Sequence, residues 1–262
     1  MSANVIDAKL VARISQTIAE IGKRAILPRF QALAAHEIDL KGPDDYVTAA
    51  DLEAEALLTP ALAAALPGSK VVGEEAVAKD RGVLDALAGD DPVWIIDPVD
   101  GTYNFAKGQP PFCTIVALVL RGRPVAGWIH SPMDGDTLTA REGLGAEFNG
   151  KRVRVSPDAP MTGAIYAKNA RIKAREDGRY TLIEERCGGA AYLNLARGRY
   201  GFACFSRTLP WDHAAGALAS AEMGCAVGFA PERAPYDARR HVGPFLIAAS
   251  DARYTEMLKL LA

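Results

Sequence analysis

Residues 94–105 read WIIDPVDGTYNF, which places Asp97 and Asp100 three positions apart directly behind an apolar run. The nearest cations in sequence are Arg81 and Lys107, so neither carboxylate has a local partner. Acids recur in three other short segments: Asp45 and Asp51 in DYVTAAD, Glu74 and Glu75 in VVGEE, and Asp212 in PWDHAAG. Each alone reads as a helix cap or a solvated turn residue, the usual posts of aspartate. As a set they resist that reading, because no lysine or arginine stands between Lys41 and Lys70, whereas Asp44, Asp45, Asp51, Glu53 and Glu55 do. Two carboxylates ~4 Å apart repel by about 4 kcal/mol at an effective dielectric near 20. Acids that converge must therefore be protonated, paired at long range or neutralised by a cation. All-oxygen donors suit Mg²⁺, which takes one or two carboxylates per ion and keeps waters elsewhere.

The DPVDGT turn sharpens this. Pro98 fixes one φ and removes an N–H, which lets both aspartates and the Val99 carbonyl point to one side. Gly101 permits close backbone approach, and a helix starting near Thr102 presents free N–H groups to an anion. Metal ions beside such a helix start point to phosphate. Thr102 is a hydroxyl placed to orient a water, or a simple cap. Cys113 opens an apolar strand and reads as core, and His213 is either a substrate neighbour or structural.

These residues need elements to hold them. Apolar residues recur every three or four positions from Val5 to about Leu33, predicting an amphipathic helix that Pro28 kinks or ends. Gly42 and Pro43 read as a turn. A second helix is expected from about Thr48 to Pro67, then short strands at 70–75 and 93–96, both ending on acids. Residues 112–120 and 125–130 read as a hairpin, 136–140 as a further strand, and Asn149-Gly150 as a two-residue hairpin turn. Beyond Ser156 the texture alternates: strands at 164–167 and 202–205, helices at 188–196 and 214–223. The expected organisation is an N-terminal α+β half over 1–155 with a largely antiparallel sheet and the metal-binding motifs, and a C-terminal α/β half over 156–262 that completes the site.

Composition sets the class. Of 262 residues, 49% are hydrophobic and 24% charged, with a net charge of −2, as in an ordinary globular protein. The pI of about 6.1 offers no basic stripe for nucleic acid. The four cysteines lack metal or disulfide spacing and read as reduced, buried thiols. No apolar run approaches the ~18 residues that span a bilayer. MSANVIDAKL lacks the basic-then-apolar pattern of a secretory signal, so the expectation is a cytoplasmic protein without a membrane partner.

The segments GEE at 73–75, WIIDPVDGTYNF at 94–105 and WDHAAG at 211–216, with DYVTAAD at 45–51 as a fourth, resemble in order and spacing the signatures of the inositol monophosphatase superfamily of Mg²⁺-dependent, lithium-sensitive phosphatases. The resemblance covers essentially the whole chain. It implies a layered α-β-α-β-α sandwich, commonly a homodimer. It also implies two or three Mg²⁺ ions held by Glu74, Asp97, the Val99 carbonyl, Asp100 and Asp212, and a nucleophilic water activated around Asp51, Glu74 and Thr102. The backbone N–H groups of Gly101 and Thr102 would bind the phosphate. Gly188, Ala190, Asp212 and, if it faces the site, Arg207 would contact the substrate. The implied reaction is hydrolysis of a small phosphorylated polyol or sugar, such as inositol 1-phosphate, by in-line attack of a metal-activated water. Histidinol phosphate, fructose 1,6-bisphosphate and adenosine 3′,5′-bisphosphate are the alternatives. The inositol enzymes usually carry a sugar-binding glutamate seven residues before the last metal aspartate, and here that position is Phe205. Two other classes stay open: an interaction protein that binds the transcription machinery through a vestigial site, and a Mg²⁺-dependent sugar-binding protein.

Overall fold

This computed structural model describes residues 6–42 and 45–262. Val5, Pro43 and Asp44, which carried the expected first helix start, the turn and one acid of the cation-free window, lie outside the described residues. Leu10, Ile14, Ile18 and Ile21 form the buried face of α1 (Ala8–Ile21), and Asp7 caps it by accepting the Leu10 N–H. The helix expected to reach Leu33 leaves α geometry at Gly22. One π turn, Gly22–Ile26, runs into a 3-10 turn over Leu27–Arg29, because Pro28 has no N–H to continue an α-helical ladder. Next come β1 (Ile38–Gly42) and β2 (Asp45–Thr48), an antiparallel hairpin that the sequence reading did not anticipate. Neither strand buries alternate residues, so the period-2 signal is missing.

Thr48 then caps α2 (Ala49–Ala65), which is followed by β3 (Lys70–Gly73), α3 (Glu74–Lys79) and β4 (Val93–Asp100). The strand expected over 70–75 stops at Gly73, since Glu74 and Glu75 open a helix. The strand expected to end at Ile96 continues to Asp100. After α4 (Thr102–Ala106), the chain makes β5 (Cys113–Leu120), β6 (Arg123–His130), β7 (Thr137–Arg141), β8 (Gly145–Phe148) and β9 (Lys151–Val153). Asn149 and Gly150, at φ 52° and 72°, make the last turn as expected. The remaining elements are β10 (Thr162–Ile165), α5 (Lys168–Asp177), β11 (Thr181–Leu182), α6 (Gly188–Ala196), β12 (Phe202–Arg207), α7 (Pro210–Glu222), β13 (Ala226–Phe229), β14 (Val242–Ala248) and α8 (Asp251–Leu261). The helix expected from Ala214 starts four residues earlier, at Pro210, whose fixed φ suits a first helical position.

Strands β3 to β9 form a seven-stranded sheet in chain order, antiparallel except for the β3–β4 pair. The second sheet has the order β11-β10-β12-β14-β13 and is mixed. Strand alternation assigns the layers. Trp94, Ile96, Val116 and Leu118 pack on α1 and α2, whereas Ile95, Ile115, Ala117 and Val119 share a core with α6, α7 and the second sheet's Ala203, Phe205, Phe245 and Ile247. The opposite face of that sheet, with Phe202, Cys204, Leu246 and Ala248, packs on α5 and α8. The order is therefore α-β-α-β-α, a layered α+β fold. Both sheets are covered on both faces, which is why their strands read as continuous apolar runs. All four cysteines are buried and free.

Candidate metal centre

The parallel β3–β4 register pairs Gly73 with Ile96, so Glu74 emerges beside Asp97. Further along β4 the pairing with β5 slips: Asp97 faces Ile115 and Asp100 faces Cys113, three residues against two. Such a bulge leaves one residue out of the ladder, and Pro98, with no N–H to donate, suits it. The Pro98 carbonyl is instead used by the Thr114 hydroxyl at 2.9 Å. The bulge brings Asp100 within electrostatic reach of Asp97 although the two are an odd number of positions apart. Gly101 ends the strand at φ 87°, with Pro111 O 2.9 Å from where a Cβ would sit. Only glycine meets both conditions without strain.

Glu74 is positioned from below. Buried Glu55 on α2 accepts the Glu75 and Ala76 N–H groups at 2.9 and 2.8 Å, so a carboxylate from another helix caps α3. Gly73 makes this fit, since a Cβ there would lie 2.2 Å from the Glu55 carboxylate carbon. From above, Lys41 on the hairpin reaches Glu74 at 2.7 Å and Glu75 at 3.0 Å. Burial works against its charge, but the two carboxylates outweigh that and hold the ammonium above the usual lysine range.

Asp51, fully buried in the first turn of α2, accepts the Thr48 N–H and hydroxyl at 2.9 and 2.6 Å. Its other oxygen lies 3.2 Å from the Thr102 hydroxyl, which also reaches the Val99 carbonyl at 2.7 Å. Thr102 is thus the first residue inside α4 rather than its cap, which is Gly101. Burial pushes the Asp51 carboxyl up to about 7, aided by the charges of Glu75 and Glu74 and opposed by the Thr48 hydrogen bonds.

Asp212 comes from the first turn of α7. Its neighbour His213 is buried. Nδ1 lies 2.8 Å from the Tyr192 hydroxyl and Nε2 lies 3.0 Å from the Arg207 carbonyl. Burial lowers its pKa to about 3, so it stays neutral, with Nε2–H donating to the carbonyl. It ties α7 to α6 and β12. Phe205 is buried, its ring stacked on Tyr166 at 5.1 Å and tilted against His213 at 4.4 Å between centroids.

One oxygen each from Glu74, Asp97 and Asp212 lies within 4.8 Å of the others. Burial, followed by the charge of Glu74 and then of Asp100, raises Asp97 and Asp212 well above the usual carboxylate range. Asp97 Oδ1 is buried without any hydrogen-bond partner. A divalent cation resolves both the repulsion and the orphaned atom, and the donors are oxygen alone, as Mg²⁺ prefers. The residues therefore fit that ion. Asp100 is placed differently. Its carboxylate accepts the Gly188 and Gly189 N–H groups at 3.2 and 2.5 Å and the Cys187 thiol at 3.1 Å, which caps α6. Oδ2 takes both the Cys187 and Gly189 donors, whereas Oδ1 takes only Gly188 and keeps a second lone pair. Ala190 is buried behind this cap. Arg207 is exposed and lines a cleft that also reaches Glu74. Asp45 stays at the surface, 3.9 Å from Lys41. The sequence reading missed Lys41, Glu55 and Cys187.

The inositol monophosphatase family model matches residues 7–258. Inositol monophosphatase 2 of Solanum lycopersicum is 35% identical over 206 residues, covering 71% of this chain and 76% of that protein. The fructose-1,6-bisphosphatase/inositol-1-monophosphatase of Thermotoga maritima is 36% identical over 192 residues, 70% and 71% of the two chains. Nus factor SuhB of Escherichia coli K12 is 32% identical over 212 residues, 76% and 77%. Among solved structures, the Thermotoga maritima IMPase superposes with a TM-score of 0.80 at 27% identity over 94% of each chain.

Proposed function

The chain belongs to the inositol monophosphatase family, and from that premise we propose that it is a Mg²⁺-dependent phosphomonoesterase acting on a small phosphorylated polyol or sugar. The carrying observation is Asp97, buried with an unpartnered oxygen beside Glu74 and Asp212. In this reading those three residues, with the Val99 carbonyl and Asp100, hold two or three ions. When bound, Mg²⁺ supplies Lewis-acid charge to the phosphate oxygens and acidifies water.

The protein's own groups move the proton. The Thr102 hydroxyl carries one proton between two acceptors, Asp51 Oδ1 and the Val99 carbonyl. As the attacking water gives a proton to Thr102 Oγ, Thr102 passes its own to Asp51 Oδ1. Asp51, buried and facing Thr102, is the acceptor at the end of this relay. The Gly101 and Thr102 N–H groups orient the phosphate at the start of α4. A cytoplasmic location and a homodimer belong to the same proposal.

The 32% identity to Nus factor SuhB favours the interaction reading as the alternative. Catalysis is supported over it because a binding surface has no use for a buried, mutually repelling acid cluster. The experiment is phosphate release from inositol 1-phosphate, histidinol phosphate, fructose 1,6-bisphosphate and adenosine 3′,5′-bisphosphate, with Mg²⁺ and with chelator. Wild type is expected to release phosphate only with Mg²⁺, and Asp97→Asn to fall to background while still melting cooperatively. Near-normal turnover by Asp97→Asn would refute the assignment.

A further inference from the structure

The start of α6 stands between two of the acids assigned to the metal centre, since a Cβ on Gly188 would lie 3.9 Å from both Asp100 Oδ2 and the Asp212 carbonyl. The Gly188 and Gly189 N–H groups hold one oxygen of Asp100 each. Two donors from one helix start act as pins on a single line, so on their own they leave the tilt of the carboxylate free. A third donor fixes it. That donor is the Cys187 thiol, 3.1 Å from Oδ2 and 3.5 Å from the Asp100 carbonyl, and the charged oxygen is both the nearer and the stronger acceptor. The thiol is itself placed by packing. Cys187 is 1% exposed, and its Cβ and Sγ lie 3.1 and 3.4 Å from where a Cβ of Gly101 would sit, so the glycine that ends β4 also makes room for this side chain.

We propose that Cys187 is a positioning residue for the metal centre: its thiol proton sets the tilt of Asp100 and with it the direction of the free Oδ1 lone pair offered to the ion. This rests on the reading of Asp100 as a metal ligand and adds the group that aims it. Losing the thiol has two opposed effects. A carboxylate with one donor fewer is more basic and would hold a cation more tightly, whereas a carboxylate free to tilt must be ordered as the ion arrives. Loss of an outer hydrogen-bond partner typically weakens metal affinity about 10- to 100-fold, so orientation outweighs basicity.

The test is Mn²⁺ affinity without substrate, from an electron paramagnetic resonance titration of wild type, Cys187→Ala and Cys187→Ser, with thermal melts of each in chelator. The alanine variant should bind Mn²⁺ about 10-fold or more weakly, and the serine variant, which keeps a donor, should recover most of the affinity. Melting in chelator reports the packing loss separately from the ion. Cys187→Val, which fills the space without a donor, takes the place of the alanine variant if that one does not melt cooperatively. Unchanged or tighter Mn²⁺ binding in the donorless variant overturns the proposal, as does equal weakening in the serine variant, which would assign the effect to packing. A wild type that binds no Mn²⁺ instead sinks the parent reading, and this inference with it.

Discussion

Thr102 and Asp51 are 51 positions apart, yet one hydroxyl links them and the Val99 carbonyl. If that hydroxyl relays the proton, Thr102→Val, which keeps the shape and removes the oxygen, should lower kcat by about 100-fold or more, within the range of general acid–base contributions. Thr102→Ser should restore most of it. Steady-state kinetics on both variants decide the matter, and equal loss in the serine variant would assign the effect to packing. At this scale much was legible. The motif residues Glu74, Asp97 and Asp212 do converge; the apolar run before Asp97 marked its strand, although Glu74 opens a helix and α7 starts at Pro210 rather than Ala214. The capping of α6 by Asp100 was not legible, because a carboxylate meeting N–H groups 88 and 89 residues away leaves no local trace. The partnership of Glu74 with Lys41 was hidden in the same way.

Between elements, the controlling fit is a glycine against a carboxylate. Glu55 fills the space over Gly73 and caps α3 in place of a residue from its own chain segment. Gly73→Ala forces the two apart, which should cost about 1–3 kcal/mol, as overpacking does, and should swing Glu74 away from Asp97. We expect a lower melting temperature and a raised Mg²⁺ requirement together, checked by thermal melts and a Mg²⁺ titration of phosphate release. A stability loss with an unaltered Mg²⁺ requirement would separate the cap from the centre. The strand reading over 70–75 failed here for the same reason: KVVGEE looks extended until a distant acid supplies the cap that turns GEE into a helix start. Pro98 likewise disguised the length of β4, since proline argues against a ladder residue unless a bulge takes it out.

Across the whole molecule the buried acids link folding to pH. Burial, the largest cause in each case, holds Asp51 and Glu75 up to about 7 and Asp97 and Asp212 well above the ordinary range. In the unfolded chain such groups titrate near ~4. Between about pH 4 and 7 the native state therefore binds more protons than the unfolded state, and stability falls as pH rises through that window. In chelator the melting midpoint should be about 5 °C or more lower at pH 7.5 than at pH 5.5, and Mg²⁺ should remove most of the difference by binding only the native form. A midpoint that climbs with pH in chelator would contradict this. Most strands and helices on either side of residue 155 were readable, but how the two sheets and their helices pack was not, because the partners of a sheet face are set by tertiary packing rather than by period.

The α6–α7 layer carries one further consequence. It is sandwiched between two sheets and gives its side chains to a single interior built from both. Side chains from both sides of residue 155 meet in that one interior. Asp212 rides on this common layer, while Glu74 opens α3 just beyond β3 and Asp97 lies at the bulge of β4 in the first sheet. An ion seated among them would therefore act as a rivet through the stack, with its grip felt on both sides.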